Sequence, residues 1–166
     1  MLKAMRENTH AKDVRVHIGT DHAGFEFSKR IVTTLSGLGY TVIDHGPTAF
    51  DAEDDYPHFC IETAEGVVTD LANGKNALGI VLGGSGNGEQ MAANKVPGIR
   101  AALVWNLSIA KLARQHNDAN VIAIGARQHS DREVLAFIET FLTEPFSEDP
   151  RHVRRIGQIA AYEKAR

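Results

Sequence analysis

At 166 residues and 18.1 kDa the chain is long enough for one compact domain, which can bury roughly 70% of the surface its unfolded form would expose. With 43% hydrophobic residues, 23% charged residues and a formal charge of −3, it is not the composition of a disordered chain, and it gives nucleic acid or an anionic membrane no electrostatic hold. One cysteine, Cys60, excludes an internal disulfide framework, and no segment approaches the ~20 apolar residues of a membrane span.

Residues 1–12 read as a loose lead-in without the apolar run of a signal peptide, so 1–166 is expected to be a single domain of a cytoplasmic protein. The first predicted strand is "VRVHIGT" at 14–20, followed by a helix over 24–38 and a second strand, "YTVIDHG", at 40–46. A long acidic loop, "PTAFDAEDDYP" at 47–57, leads to a helix over 57–70 and, through a short glycine-containing connection, to a third strand, "ALGIVLGG", at 77–84. A helix over 87–95, a strand "RAALVW" at 100–105, a helix over 106–117, a strand "NVIAIGAR" at 120–127 and a helix over 130–142 complete the alternation. Asn106 and the capping box "SDRE" at 130–133 mark two helix starts, and Pro150 opens an additional C-terminal helix with basic residues in its first turns. Short β-branched runs bounded by glycine or polar residues predict parallel strands buried on both faces. Their alternation with helices predicts an α/β fold: a five-stranded parallel sheet covered by helices on both sides.

Ligands of an open parallel sheet bind beyond the carboxyl ends of its strands. The first strand delivers Asp21 and His22 there, where Asp21 either takes part in chemistry or caps the helix that follows. The third delivers "GGSGNGEQ", which fits neither nucleotide-binding glycine pattern, since Glu89 stands where a P-loop has its lysine. Four glycines, Gly83, Gly84, Gly86 and Gly88, free the backbone N–H groups of Ser85, Gly86, Asn87, Gly88 and Glu89 to line a concavity that favours negative charge. A carboxylate there would repel phosphate. It suits a base that removes a carbon-bound proton while the amides receive the oxyanion, each such donor contributing about 2.7–4 kcal/mol. The ordinary account is that Glu89 is an exposed residue favouring the helix dipole. The dipole would lower its pKa and loss of water would raise it.

His116 and Asn117 follow the fourth predicted helix and precede the fifth strand, which puts them at the amino edge of their own sheet. Either His116 simply complements a helix C-terminus, or it serves the site of a second subunit. Arg127 ends the fifth strand. Arg151 and Arg155 share a face of the last helix and could grip a phosphate dianion, or form only a solvated basic face. Cys60 is expected to pack as a small apolar residue. His10, His17, His45, His58 and His129 show no clustered metal-ligand spacing, and neither metal nor other cofactor is expected.

Taken together, "GTDHAGFE", "DYP", "GIVLGGSGNGEQMAANKVPGIRAAL", "ARQHNDANVIAIGAR" and "RHVRRI" resemble the ribose-5-phosphate isomerase B family of sugar-phosphate isomerases from about residue 14 to 160. The resemblance implies a Rossmann-like three-layer fold, homodimers or pairs of dimers with shared active sites, and metal-free interconversion of phosphorylated aldoses and ketoses. It further implies that Ser85 and the amides around Gly84 and Gly88 stabilise an enediolate, that His116 opens the sugar ring and that Asp21 assists hydroxyl or ring-oxygen protons. His22, Arg127, Arg151 and Arg155 would bind phosphate, with Tyr56 and Asn117 in the pocket. Many members carry a cysteine base at the position of Gly83; a second group has glycine there and a glutamate at the position of Glu89, and this sequence resembles that group. Ribose 5-phosphate is the expected substrate, against a tetrose or hexose phosphate of the erythrose, allose or galactose type, or a non-catalytic module that binds a sugar phosphate or nucleotide.

Overall fold

The computed structural model describes residues 13–165; the lead-in expected at 1–12, with His10, lies outside them. Five parallel strands, β1 (Val14–Thr20), β2 (Thr41–Asp44), β3 (Asn76–Gly83), β4 (Ala101–Val104) and β5 (Val121–Gly125), form one sheet in the order β2-β1-β3-β5-β4. Helices α1 (Phe25–Gly37), α2 (Tyr56–Ala72), α3 (Asn87–Ala93), α4 (Leu107–Asn117) and α5 (Asp131–Thr143) alternate with them, and α6 (Pro150–Lys164) is the additional C-terminal helix.

Successive residues of a strand point to opposite faces, and the core divides accordingly. Ile80 and Leu82 of β3 pack with Ile31 and Leu35 of α1, Ala110 and Ala113 of α4 and Ile138 and Phe141 of α5. Val81, between them, packs on the other side with Cys60, Ala64 and Val67 of α2 and Ala92 and Ala93 of α3. Both predicted caps are present: the Ser130 and Glu133 side chains bond each other's backbone, and Asn106 Oδ1 accepts the Ile109 N–H at 2.9 Å. Each is worth about 1 kcal/mol.

One expectation is corrected. Burial on both faces describes β1, β3 and β5 and also the edge strand β4, whose Val104 and Ala101 join the two cores on opposite sides, whereas at the other edge Thr41 and Asp44 of β2 are exposed. Two histidines without metal-ligand spacing in the sequence meet in the fold. His17 Nδ1 lies 2.9 Å from His45 Nε2, and His17 Nε2 lies 3.0 Å from Asp70 Oδ2, which also receives Arg15; Lys75 Nζ reaches Asp70 Oδ1 at 3.2 Å. Gly66 of α2 makes the room, since a Cβ there would stand 2.4 Å from His17 Nδ1.

Burial lowers both imidazole pKa values below 6.5, against the hydrogen bond that His17 donates to Asp70 and the charges of Glu62 and Asp44 near His45. Burial also works against ionised Asp70, but its bonds to His17, Arg15 and Lys75 prevail and hold the carboxyl at about 2. Unfolding therefore takes up protons at the histidines below pH 6.5, so their contribution is complete above that pH and is lost as pH falls through the folded values. The contribution of Asp70 is present above about pH 4 and is lost toward about 2. Urea midpoints measured between pH 7 and 5 are expected to fall, and to fall less steeply in a His17→Gln/His45→Gln variant.

Candidate active site

Three strand ends lie side by side at the carboxyl edge. Thr20 is in register with Leu82, and Gly83 with Gly125. Asp21, the loop from Gly83 to Gly88 and Arg127 therefore leave the sheet together. Between β1 and β3 the strand order also reverses, forming the crevice in which sheets of this kind bind ligands.

Glu89, in the first turn of α3, is only 4% exposed, and its Oε2 is buried without a hydrogen-bond partner. Gly83 creates the space: a Cβ at that position would stand 1.7 Å from Glu89 Oε1 and 2.2 Å from Cδ. Burial raises the Glu89 pKa above the ordinary carboxyl range and the charge of Asp21 adds to this, while the N–H groups of Glu89 and Gly86 oppose it without prevailing. Of the two influences expected from the sequence, loss of water wins. Gly86 turns the loop at φ 82°, a left-handed conformation that costs glycine little.

The amides are less open than expected. Those of Gly86 and Glu89 act on the Glu89 carboxylate itself, and the Asn87 N–H points at Ser85 Oγ, 3.3 Å away. Ser85 and Asn87 side chains are exposed at the rim. Asp21 is 6% exposed, and its Oδ1 accepts the Ala23 N–H at 2.9 Å, bracing the turn into α1.

Asp54 is the residue that sequence reasoning missed. Its Oδ1 accepts the His22 backbone N–H at 2.9 Å and lies 2.8 Å from His22 Nδ1. That hydrogen bond, with the charge of Asp21, raises the His22 pKa above its ordinary value and so favours the charged imidazolium at the mouth of the crevice. Donor atoms of Asp21, His22 and Asp54 lie within 4.8 Å of one another, a spacing that could hold a cation, although His22 Nδ1 and Asp54 Oδ1 already engage each other. The Tyr56 ring packs against Gly88, and the exposed Arg127 lies over Gly84. Cys60 is fully buried on α2, and burial pushes its thiol pKa up, which suits packing and not nucleophilic attack.

The remaining predicted residues are elsewhere. His116 and Asn117 end α4, before β5 begins, and are exposed at the amino edge. His152 of α6, 4% exposed, lies against the His116 ring at a centroid distance of 4.2 Å, with its Nδ1 2.9 Å from Ser147 Oγ. Burial lowers the His152 pKa, helped by the nearby charges of His116, Arg151 and Arg155. The chain thus carries two separate groups: Asp21, His22, Tyr56, the glycine loop, Glu89 and Arg127 at one edge, and His116, Asn117, Arg151 and Arg155 at the other.

Fold and site together define the class as an α/β isomerase. The family model for Ribose/Galactose Isomerase matches residues 16–159, and the chain belongs to that family. It is 52% identical over 151 residues to ribose-5-phosphate isomerase B of Mycolicibacterium paratuberculosis, covering 91% of this chain and 92% of the relative. It is also similar to the crystal structure of ribose-5-phosphate isomerase B from Mycoplasma genitalium with bound ribulose-5-phosphate, with a TM-score of 0.84 and 41% identity over 91% of this chain and 97% of the other. The ribose-5-phosphate isomerase B structure from Clostridium thermocellum gives a TM-score of 0.84 at 39% identity, over 91% and 98% of the two chains. Among the described residues, no helix is long and apolar enough to cross a membrane.

Proposed function

We propose that this chain interconverts ribose 5-phosphate and ribulose 5-phosphate, with Glu89 as the base. The observation that carries the choice of base is spatial: the Glu89 carboxylate occupies the volume that a side chain at position 83 would need. The pocket has room for one base, and the sequence supplies it from α3.

With the sugar open, Glu89 removes the C2 proton, and the electron pair moves through C1 onto the carbonyl oxygen. Ser85 and the loop amides of Gly84, Gly86, Asn87 and Gly88 stabilise the enediolate, the Gly86 amide being released as Glu89 takes the proton. Return of that proton to C1, with transfer of the O2 hydroxyl proton toward O1 assisted by Asp21, completes the ketose. Tyr56 closes the side of the pocket, and His22 and Arg127 hold phosphate. His116 opens the furanose ring, Asn117 contacts the sugar, and Arg151 and Arg155 complete the phosphate grip.

His116 and Glu89 belong to opposite edges of one sheet, which supports a homodimer in which each site takes one edge from each subunit, with pairing of dimers a further step. A cytoplasmic setting accords with a free buried thiol, Cys60, and with charged metabolites as substrates. Ribose 5-phosphate added to the purified protein in EDTA should yield ribulose 5-phosphate; absence of turnover with this sugar overturns the substrate assignment. Mixing inactive Glu89→Gln and His116→Gln chains after unfolding and refolding should restore about a quarter of wild-type activity, because only mixed dimers hold one intact site. No recovery would reject sharing.

A further inference from the structure

The end of α4 that carries His116 is held by a feature the reaction itself does not call on. The Ala119 N–H donates to the Ala113 carbonyl at 2.9 Å and the Asp118 N–H to the Arg114 carbonyl at 3.0 Å, closing the helix with an αL cap. The left-handed position of that turn usually belongs to glycine, yet here it is Asp118, at φ 42° and ψ 45°. Its carboxylate explains the choice. Arg100 Nη2 reaches Asp118 Oδ2 at 3.0 Å, and Arg114 Nη1 reaches Oδ1 at 2.7 Å. Both arginines also cap the chain: Arg100 Nε donates to the Asn117 carbonyl at 2.9 Å, Arg100 Nη2 to the Asp118 carbonyl at 2.6 Å, and Arg114 Nη1 to the Ala119 carbonyl at 2.7 Å. Arg100 is fixed in turn, its backbone N–H bonding Asn120 Oδ1 at 2.8 Å.

We propose that Asp118, Arg100 and Arg114 are positioning residues that fix the direction in which His116 leaves the end of α4 toward the sugar ring. The inference rests on the proposed ring-opening role of His116. Carbonyls at the end of a helix that lack such partners fray into water, and catalysis by a group held at hydrogen-bond distance is sensitive to displacements of about 1 Å. A left-handed aspartate is tolerated here because a glycine would close the turn but leave both guanidinium groups without their shared anion.

The discriminating variant is Asp118→Gly, which keeps the backbone turn and removes only the carboxylate. It should melt within a few degrees of wild type yet lose about tenfold in kcat with ribose 5-phosphate. Ribulose 5-phosphate separates this from general damage. Its C5 oxygen is esterified, so it has no ring to open, and exchange of its C1 hydrogen with deuterium oxide needs Glu89 but not His116. That exchange should stay within about threefold of wild type in Asp118→Gly and in Arg100→Lys, and disappear in Glu89→Gln. Wild-type turnover of ribose 5-phosphate by Asp118→Gly, or equal loss of turnover and exchange, overturns the positioning role. Should His116→Gln itself turn over ribose 5-phosphate normally, the role assigned to His116 fails and takes this inference with it; an inactive His116→Gln beside a fully active Asp118→Gly rejects the clamp alone.

Discussion

Replacing Glu89 with glutamine is expected to lower kcat for ribose 5-phosphate by about 10²–10⁴-fold while KM changes by less than about threefold. Glutamine matches the shape of the side chain and keeps a hydrogen-bonding oxygen, so the crevice, the loop and the phosphate contacts should persist. Only the capacity to accept a proton from carbon is removed. The pattern of lost kcat with preserved KM is what separates a base from a binding group, and steady-state kinetics in both directions read it directly. An equal loss in a Glu89→Asp variant would agree, since a carboxylate shortened by one methylene withdraws from the space beside Gly83. A Glu89→Gln variant that kept more than a tenth of wild-type kcat would remove the proposed mechanism.

Gly83→Ala should be nearly as damaging, for a different reason. The new methyl group and Glu89 Oε1 cannot both occupy positions 1.7 Å apart. Gly83 is held in the sheet opposite Gly125, so the side chain of Glu89 must yield. Forcing an extra carbon into a packed site costs about 1–3 kcal/mol of stability, and the displaced carboxylate leaves the place from which it acts. Because the two positions compete for one volume, their effects should not add. Adding Glu89→Ala to Gly83→Ala should recover most of the lost stability, seen in denaturant midpoints, and none of the activity. Activity in Gly83→Ala close to wild type would mean that the carboxylate works from somewhere else.

Much of the fold was legible because buried parallel strands advertise themselves: "ALGIVLGG" and "NVIAIGAR" hold continuous apolar runs and "VRVHIGT" is a short β-branched stretch ending in glycine, and these became β3, β5 and β1 in the middle of the sheet. The order of strands is not written in any run, which is why β2 was expected to be buried on both faces and proved to be an exposed edge. At the site, the glycine pattern marked the loop, and the place of His116 between a helix and a strand marked its edge. The burial of Glu89 could not be read, because two opposing influences on its charge differ only through packing contributed by β3. The His22–Asp54 pair was invisible for a simpler reason. Its members are 32 residues apart and meet only because the acidic loop after β2 returns to the end of β1. The same holds for His17, His45 and Asp70, which three different elements bring together. The amides of the loop misled in part: glycine content shows that they are available, not which way they face in the resting enzyme.

The shared volume at Gly83 and Glu89 also bears on how such a protein could change its chemistry over generations. A lineage exchanging the carboxylate for a thiol on β3 would cross a fitness valley, because the first substitution in either order yields a chain with two groups contending for one seat or with none in it. Descendants holding one or the other should therefore differ at both sites at once, with single-step intermediates rare among living sequences.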